Sequence, residues 1–293
     1  MSGGYVQRFL FEGLDIRGAV VRLEECWQQM QFGRDYQATV AQLLGETAAV
    51  TALIGAQLKQ PGRLTLQLRG SGPVQMLVMD CNERLQMRGM ARSNPVVLPA
   101  PVADLLGAHQ GGQLMLTLDL PTARTPYQSF VPMVGNSIAE IFEHYLEQSE
   151  QLPSRLFVTA NAQAATCLFL QKMPDADQRD ADGWARISQL AATVKTQELL
   201  TLEASELLGR LFHEEINAGG VRVYDPLPVV YHCPEDWTKV RDMIRGLGRQ
   251  DAETLIAEHG EIVIRDDICN REYRFTADDV AQLFVESEGS NLN

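Results

Sequence analysis

The stretch from Arg265 to Phe275, RDDICNREYRF, has the pattern of a small metal-binding turn. A thiolate knuckle usually reads C-x-x-C, because two sulfur ligands on one tight turn can bind the same ion. In this chain Cys269 has Asp266 three positions before it. The stretch is therefore either a hairpin with an unrelated cysteine or a metal site in which a carboxylate stands where a thiolate would be.

A second combination of ionisable residues is LFHEE, in which His213 precedes Glu214 and Glu215. Histidine beside carboxylates is one arrangement for acid–base catalysis, but we favour a solvated helix end for this polar helical segment. The sequence has no phosphate-binding glycine loop, no G-x-S-x-G motif and no H-E-x-x-H motif. We therefore expect a binding protein and not an enzyme.

The other cysteines favour a structural role. The chain has five cysteines, an odd number at wide spacing, which disfavours a disulfide framework. We predict that Cys26, Cys81 and Cys167 are buried apolar thiols. Cys167, for example, lies within the apolar segment AATCLFLQ.

Composition argues against several classes of protein. The 293 residues are 45% hydrophobic, as in ordinary folded chains, and carry a net charge of −13. This acidity argues against nucleic-acid partners and against an anionic membrane surface. No apolar run reaches the roughly 20 residues that span a bilayer, and the N-terminus lacks the order of a secretion signal. We expect a cytoplasmic protein.

Residues 1–176 combine strands and helices in the manner of an α+β core. Alternating apolar residues predict strands, and apolar residues at helical spacing predict helices. The predicted strands are 62–70, 74–80 and 111–120, and the predicted helices are 39–59 and 137–151. The turn GSGP joins the first two strands into a hairpin.

A polar, acidic break at 174–183 favours a domain boundary, so we assign 177–224 to a helical linker. Apolar residues at i, i+3, i+4 and i+7 predict helix from Trp184 onward. The sequence leaves open whether this segment is a spacer or packs on the first domain.

The predicted third domain, 225–293, is a small α+β module. Asp236 caps a predicted helix that runs to Gly246, and Gly260 ends a second helix that begins at Asp251. A strand at 261–265 leads into the turn at Cys269. The residues Thr276 and Asp279 have the spacing of a capping box for a last helix.

Several of these segments together resemble the family of the 33 kDa heat-shock chaperonin, the redox-regulated holdase of bacteria. HYLEQSEQLPS at 144–154 is similar to the family's Y-x-x-Q-S-E-Q-x-P-S signature. The segment 43–80 and the motifs RGM, PYQSFVPMVGNSIAEI and LFHEE follow in the family's order. The resemblance covers essentially the whole chain. It implies an α+β core, a helical linker and a small C-terminal redox domain that binds metal.

The resemblance also implies which residues stand at the metal-ligand positions. Members of the family bind one zinc through four cysteines, a C-x-C pair followed later by a C-x-x-C pair. The first pair falls on Cys233 and Glu235, and the second on Asp266 and Cys269. Carboxylates thus stand at half of the thiolate positions, and we interpret the site as a degenerate zinc site that is still in register.

Two outcomes remain open for this altered site. Zinc accepts carboxylate oxygen as well as sulfur, so a weakly bound or substitute metal is one outcome. The outcome that we favour is two solvated carboxylates and no metal. Each half-site keeps one thiol, so the family's two local disulfides cannot form. The disulfide left to this domain joins Cys233 and Cys269, and we expect it to stabilise the domain, whereas oxidation unfolds the family's domain.

The function that the resemblance implies is that of an ATP-independent holdase for unfolded or aggregation-prone proteins. Its zinc and disulfide switch would be lost or rewired. The alternative is a regulatory or interaction protein that kept the fold without redox-switched chaperone activity. Homodimer formation is left open. We expect the C-terminal module to be the least stable part of the chain, because about 60 residues is marginal for an independent core.

Overall fold

The computed structural model describes residues 3–218 and 220–290. The chain divides into two compact units between His232 and Cys233. We refer to them as the large unit and the small unit, and each is described by itself. The α+β class expected from the sequence is confirmed, because both units contain strands and helices.

The large unit is built on one sheet. Its strands are β1 (Gly4–Phe11), β2 (Ile16–Leu23), β3 (Arg63–Arg69), β4 (Val74–Cys81), β5 (Gln86–Ser93), β6 (Gln113–Asp119), β7 (Tyr127–Val131), β8 (Ser154–Ala160), β9 (Ala165–Lys172), β10 (Val221–Val223) and β11 (Leu227–Tyr231). The strand order is β7-β6-β3-β4-β5-β11-β1-β2-β9-β8, and β10 pairs with β1. The pair β5–β11 is parallel, and the other pairs among the described residues of this sheet are antiparallel.

Helices pack on both faces of this sheet. They are α1 (Glu25–Gln31), α2 (Ala38–Gly55), α3 (Val102–Leu105), α4 (Ile138–Glu150), α5 (Ala176–Arg179), α6 (Gly183–Ala191), α7 (Thr196–Thr201) and α8 (Ala204–Asn217). Successive side chains of a strand point to opposite faces. In β2, Ala19 and Val21 therefore join a first core with α2, whereas Ile16 and Val20 join a second core with α6, α7 and α8.

The longest helix of the large unit, α2, lies inside the first core. Its residues from Val40 to Leu53 do not separate into one polar and one apolar face, and most of them are buried. Among the described residues, α2 is the one helix that is long and apolar enough to span a membrane, but 72% of it is buried within the protein. Packing against the sheet thus accounts for its apolar composition.

The elements predicted for the first domain are confirmed, except that the helix expected at 39–59 already ends at Gly55. The strands expected at 62–70, 74–80 and 111–120 correspond to β3, β4 and β6, and β3 pairs with both of the others. The helix expected at 137–151 is α4. Ser137 caps it, because its hydroxyl accepts a hydrogen bond from the backbone N–H of Glu140 at 3.2 Å.

The helical segment after residue 183 packs on the sheet, which decides the alternative that the sequence left open. Leu207, Leu211 and Phe212 of α8 are buried in the second core. The ring of Phe212 meets the ring of Phe11 edge to face, with centroids 5.1 Å apart. Burial of these apolar side chains fixes the segment to the sheet.

The division into compact units differs from the boundaries expected at 177 and 225. The segment after 225 forms β11, which pairs with β1 in antiparallel and with β5 in parallel register. Val229, in the middle of β11, is fully buried in the first core. Because this strand fills a place inside the sheet, the compact small unit begins after it, at Cys233.

The described residues of the small unit form three helices and one hairpin. These are α9 (Trp237–Leu247), α10 (Arg249–His259), β12 (Ile262–Asp266), β13 (Arg271–Phe275) and α11 (Ala277–Ser290). They surround one apolar cluster: Val240, Ile244, Ala252, Ile262, Tyr273, Phe275, Val280, Leu283 and Phe284.

The predicted helix ends of the small unit are confirmed. Asp236 caps α9 by accepting from the N–H of Lys239 at 2.9 Å. Gly260 ends α10 with a φ of 81°, a conformation that glycine adopts without steric cost. Thr276 and Asp279 form the capping box of α11, in which the Asp279 carboxylate accepts from the Thr276 N–H at 2.8 Å.

Candidate redox and metal centre

The turn between β12 and β13 positions one cysteine of the centre. Asp266 stands at its start, and its Oδ1 accepts from the backbone N–H groups of Ile268 at 2.9 Å and Cys269 at 3.2 Å. Asn270 completes the turn with a φ of 52°, which asparagine tolerates better than most residues. The carboxylate at the altered ligand position therefore stabilises the turn through the backbone.

The second cysteine comes from the other end of the small unit. Cys233 follows the last strand of the large sheet, and the structure joins it to Cys269 as a disulfide with the Cα atoms 5.8 Å apart. That separation lies within the usual range for a disulfide. The two residues are 36 positions apart in the chain, so the bond closes a loop that contains α9, α10 and β12.

Three of the four residues expected at the ligand positions lie together. The sulfur atoms of Cys233 and Cys269 and a carboxylate oxygen of Asp266 are within 4.8 Å of one another. Glu235 lies outside this group. Its Oε2 accepts from the indole N–H of Trp237 at 2.8 Å, and its Oε1 is 3.8 Å from Nε of Arg271.

These residues do not fit the closed zinc site that the resemblance implies. Structural zinc sites are nearly always tetrahedral, with four protein ligands and thiolate sulfur. Here three candidate ligands converge, and the two sulfurs are bonded to each other, so neither is a thiolate. The Asp266 carboxylate is also already an acceptor for two backbone N–H groups.

Arg271 is a member of the centre that we did not identify from the sequence. Its Nη2 donates to the backbone carbonyl of Cys233 at 3.3 Å, and its Nε faces Glu235. Arg271 shares one face of β13 with Tyr273 and Phe275, which the period of two along a strand would have indicated. The guanidinium thus connects the hairpin to the segment that carries Cys233.

Two aromatic residues hold the start of α9 against the hairpin. The Tyr273 hydroxyl accepts from the backbone N–H of Asp236 at 3.1 Å. The Trp237 ring meets the Tyr273 ring edge to face, with centroids 4.8 Å apart. These contacts keep the segment after Cys233 close to the turn that carries Cys269, independently of any bond between the sulfurs.

The other three cysteines are buried, as predicted. Burial raises the pKa of Cys26 and of Cys81 to about 12 and also raises the pKa of Cys167. Thiol chemistry proceeds through the thiolate, so these three side chains are inert at neutral pH. Burial thus disfavours thiol–disulfide chemistry at these three positions.

The interpretation of His213 as part of a solvated helix end is confirmed. Its side chain is 66% exposed, and its Nε2 is 3.9 Å from the exposed carboxylate of Glu214. Glu215, in contrast, is partly buried, and its carboxylate is paired with Arg186 at 2.9 Å.

Comparison with known proteins gives one consistent result. The sequence model of the family described as Hsp33 protein matches residues 4–276. The 33 kDa chaperonin of Methylobacillus flagellatus is 38% identical over 283 residues, which cover 96% of this chain and 94% of the relative. The 33 kDa chaperonin of Shewanella sp. strain W3-18-1 is 36% identical over 293 residues, which cover 100% of this chain and 99% of the relative.

The fold has a counterpart among solved structures. The crystal structure of the 33 kDa chaperonin homologue from Thermotoga maritima matches with a TM-score of 0.78. The match covers 97% of this chain and 99% of that chain, at 22% sequence identity. At this identity the match concerns the fold alone.

Proposed function

The chain belongs to the Hsp33 family, and from this premise we propose that it is an ATP-independent holdase with a rewired redox switch. Its clients are unfolded or aggregation-prone proteins of the cytoplasm. In place of four zinc-binding thiolates, its small unit carries one disulfide, which stabilises that unit when it forms.

Chaperone function is supported by the relatives. They are named chaperonins, and the similarity to them extends over nearly their whole length. The family is not an enzyme class, and the sequence has no nucleotide-binding motif that would supply ATP-driven cycling. The net charge of −13 supports client proteins as partners in preference to nucleic acids or anionic membranes.

The observation that carries the rewired switch is the proximity of Cys233 and Cys269, with carboxylates at the two remaining ligand positions. With hydrogen peroxide as oxidant, one thiolate attacks a peroxide oxygen and gives sulfenic acid and hydroxide, and the proton that the thiol released on ionisation converts the hydroxide into water. The second thiolate then displaces the sulfenic oxygen as another water, and the S–S bond forms. Two thiols lose two electrons, and one peroxide becomes two waters.

The direction of this switch is opposite to that of a four-cysteine site. Loss of zinc removes folding energy from a tetrathiolate domain. Here the oxidised form gains a crosslink across a span of 36 residues, which in the chain-entropy model contributes roughly 3–4 kcal/mol. Oxidation should thus close the small unit, and reduction should loosen it.

The experiment is an aggregation assay with a thermally unfolding client, run on the reduced and the peroxide-treated protein. We expect suppression of aggregation in the reduced protein, and no steep gain after peroxide. The variant Cys233→Ser with Cys269→Ser should behave like the reduced protein in both conditions, whereas Cys26→Ala serves as the control for loss of an inert thiol. Peroxide-dependent activity that disappears in the double variant would overturn the proposed direction.

The metal content follows from the same residues. We expect at most substoichiometric zinc in protein purified under reducing conditions, because the two carboxylates replace thiolates. The double change Glu235→Cys and Asp266→Cys should create a four-thiolate site that retains one zinc per chain against a chelator. One tightly held zinc in the unmodified protein, or none in the double variant, would contradict the assignment of these positions.

The second candidate function is a regulatory or interaction protein that retains the fold without switched chaperone activity. It is favoured by the loss of two thiolates at Glu235 and Asp266, since the switch of the family depends on them. The same client assay separates the two functions: a protein that suppresses aggregation in neither redox state is not a holdase.

A further inference from the structure

A cavity of about 500 Å³ lies in the large unit where α2 ends above the sheet. Leu10, Ala19 and Phe169 from three neighbouring strands lie beneath it, and residues 56–59 after the end of α2 form one wall. Tyr224 closes another side. The cavity lies at the edge of the first apolar cluster, to which Ala19 and Phe169 belong, and is separate from the disulfide centre.

The strand register explains why space remains there. Ala19 of β2 lies between Arg8 of β1 and Phe169 of β9 in directly paired positions. An alanine fills little of the room between its larger neighbours. The helix above ends at Gly55, so no further turn of α2 covers the sheet at this point. The result is a pocket with a small apolar centre.

The rim of the cavity is basic. Arg8, Arg17 and Lys59 line it, and no Asp or Glu does. Because Arg8 pairs with Ala19 and Leu10 pairs with Arg17, the two arginines are diagonal neighbours on one face of the sheet, a spacing of about 7–8 Å. Two guanidinium groups and an ammonium group thus surround one opening.

Two of these cations lack a carboxylate partner among the residues that the structure describes. These two are Arg8 and Lys59. The third, Arg17, is paired with Glu150 at 3.2 Å and donates a hydrogen bond to Gln171 at 2.7 Å. The Arg8 guanidinium instead lies over the Tyr224 ring, 5.7 Å from its centroid. Lys59 has no ion pair in the described part of the chain.

Such a cluster stands out against the composition of the chain. The net charge is −13, yet the sequence has no Asp or Glu between Glu46 and Asp80, the segment that contributes Lys59 to the wall. Arg8 and Lys59 have no carboxylate counter-charge among the described residues, and like charges on one cavity raise the free energy of the folded state. An anion bound between them would remove that repulsion.

We propose that this cavity binds a small amphipathic carboxylate, such as a medium-chain fatty acid. The apolar body lies against the partly exposed side chains of Leu10, Ala56 and Leu58, and the carboxylate accepts hydrogen bonds from Arg8 and Lys59 at the rim. The volume is within the range of small-molecule sites, which combine mostly apolar walls with a few placed polar groups. A guanidinium matches a carboxylate in a two-point hydrogen-bonded pair.

The test is a titration of the full-length protein with decanoate below its micelle concentration, followed by calorimetry and by amide chemical shifts. Decanol has the same chain without the charge, and acetate has the charge without the chain. We expect decanoate to bind at least ten times more tightly than either. Equal affinity for decanol and decanoate, or no saturable binding of decanoate, would overturn the proposal.

Variants locate the site. Arg8→Ala and Lys59→Ala should each weaken decanoate binding about tenfold, which corresponds to 1.4 kcal/mol, and Ala56→Leu should block it by filling the wall. Arg84→Ala removes an exposed arginine elsewhere in the large unit and should leave the affinity unchanged. Thermal unfolding of each variant is measured in parallel. Folded variants that bind decanoate as the unmodified protein does would place any binding elsewhere and refute the site.

Discussion

The two units differ in how each compensates for the entropy lost on folding. The large unit buries apolar side chains on both faces of its sheet, in two clusters that include Trp27, Phe142 and Phe212. The small unit has one apolar cluster, and several of its large apolar side chains remain exposed, Met243 at 55% and Val285 at 62%. One unit relies on packing, and the other carries a covalent bond in addition.

The difference shows what a small domain requires when its metal ligands change. A unit of this size rarely gains enough stability from its core alone, and a metal or a disulfide usually supplies the remainder. With thiolates at two positions instead of four, a tetrathiolate zinc cannot form, and the two remaining sulfurs are in a position to bond. The turn held by Asp266 keeps Cys269 in place without any metal.

The largest expected effect is in the large unit. Phe212→Ala removes a fully buried ring that contacts Phe9 and Phe11, and we expect a loss of about 3–5 kcal/mol in its free energy of unfolding. Urea unfolding followed by exchange of sheet amides measures this. Phe32→Ala, where the ring is 85% exposed, should change the stability by less than about 0.5 kcal/mol. Equal losses in the two variants would contradict the role of the second core.

The next effect concerns the small unit. Reduction of the Cys233–Cys269 bond should lower its stability by about 3–4 kcal/mol and leave the large unit unchanged. Hydrogen exchange across 235–285 should accelerate on reduction, whereas amides at 64–80 should keep their rates. If the small unit exchanges more slowly than the sheet in the reduced protein, the prediction that the small unit is the less stable of the two is wrong.

Matched substitutions at helix N-caps compare the two units through a smaller loss of stability. Ser137→Ala in α4 and Asp236→Ala in α9 each remove one N-cap hydrogen bond, at a cost of about 1 kcal/mol. The same loss should produce more frequent opening in the small unit, because less stability remains there. Asp236→Asn keeps an acceptor and should restore protection. Identical opening in both units would argue that their stabilities are similar.

The smallest effect is a dependence on pH with opposite signs at two carboxyl groups, Glu46 in the large unit and Asp279 in the small unit. Burial raises the pKa of Glu46 in α2, so its contribution favours the folded state at low pH and is lost as the pH rises through the raised pKa. Hydrogen bonds from Thr276 lower the pKa of Asp279, so its contribution is present above the unfolded-state pKa and is lost as the pH falls through the lowered pKa.

Acidification through the range where carboxyl groups titrate should therefore stabilise the folded large unit through Glu46. It should destabilise the folded small unit through Asp279. Hydrogen exchange of each unit as a function of pH measures both, after correction for the intrinsic rate. Glu46→Gln and Asp279→Asn should each flatten the profile of their own unit. Profiles that these two substitutions leave unchanged would exclude the side chains as the cause.

Local structure was predictable from the sequence. The strands at 64–80, the helix capped by Ser137, the capping box at Thr276 and the glycine end at Gly260 were expected at the positions where the structure has them. Period, caps and turn residues act over a few neighbouring positions, so the chain specifies them without knowledge of the rest of the fold.

The centre was predictable in part. The family register named Cys233, Asp266 and Cys269, and these three lie together. Glu235 lies outside the group because Trp237 and Arg271 bind its carboxylate. A register gives the order of residues along the chain, whereas side-chain direction depends on hydrogen bonds between separate elements.

Sequence patterns were enough to predict part of the elements, among them β3, β4, β6, α2 and α4, together with the caps of the small unit and the positions of Cys233 and Cys269. Contacts between distant segments, in contrast, place Leu227–Tyr231 as a strand of the large sheet and α8 on the opposite face from α2. Strand β11 pairs with β1, more than two hundred positions earlier in the chain. Such pairing depends on shape and burial between distant segments, and no local pattern in either segment encodes it.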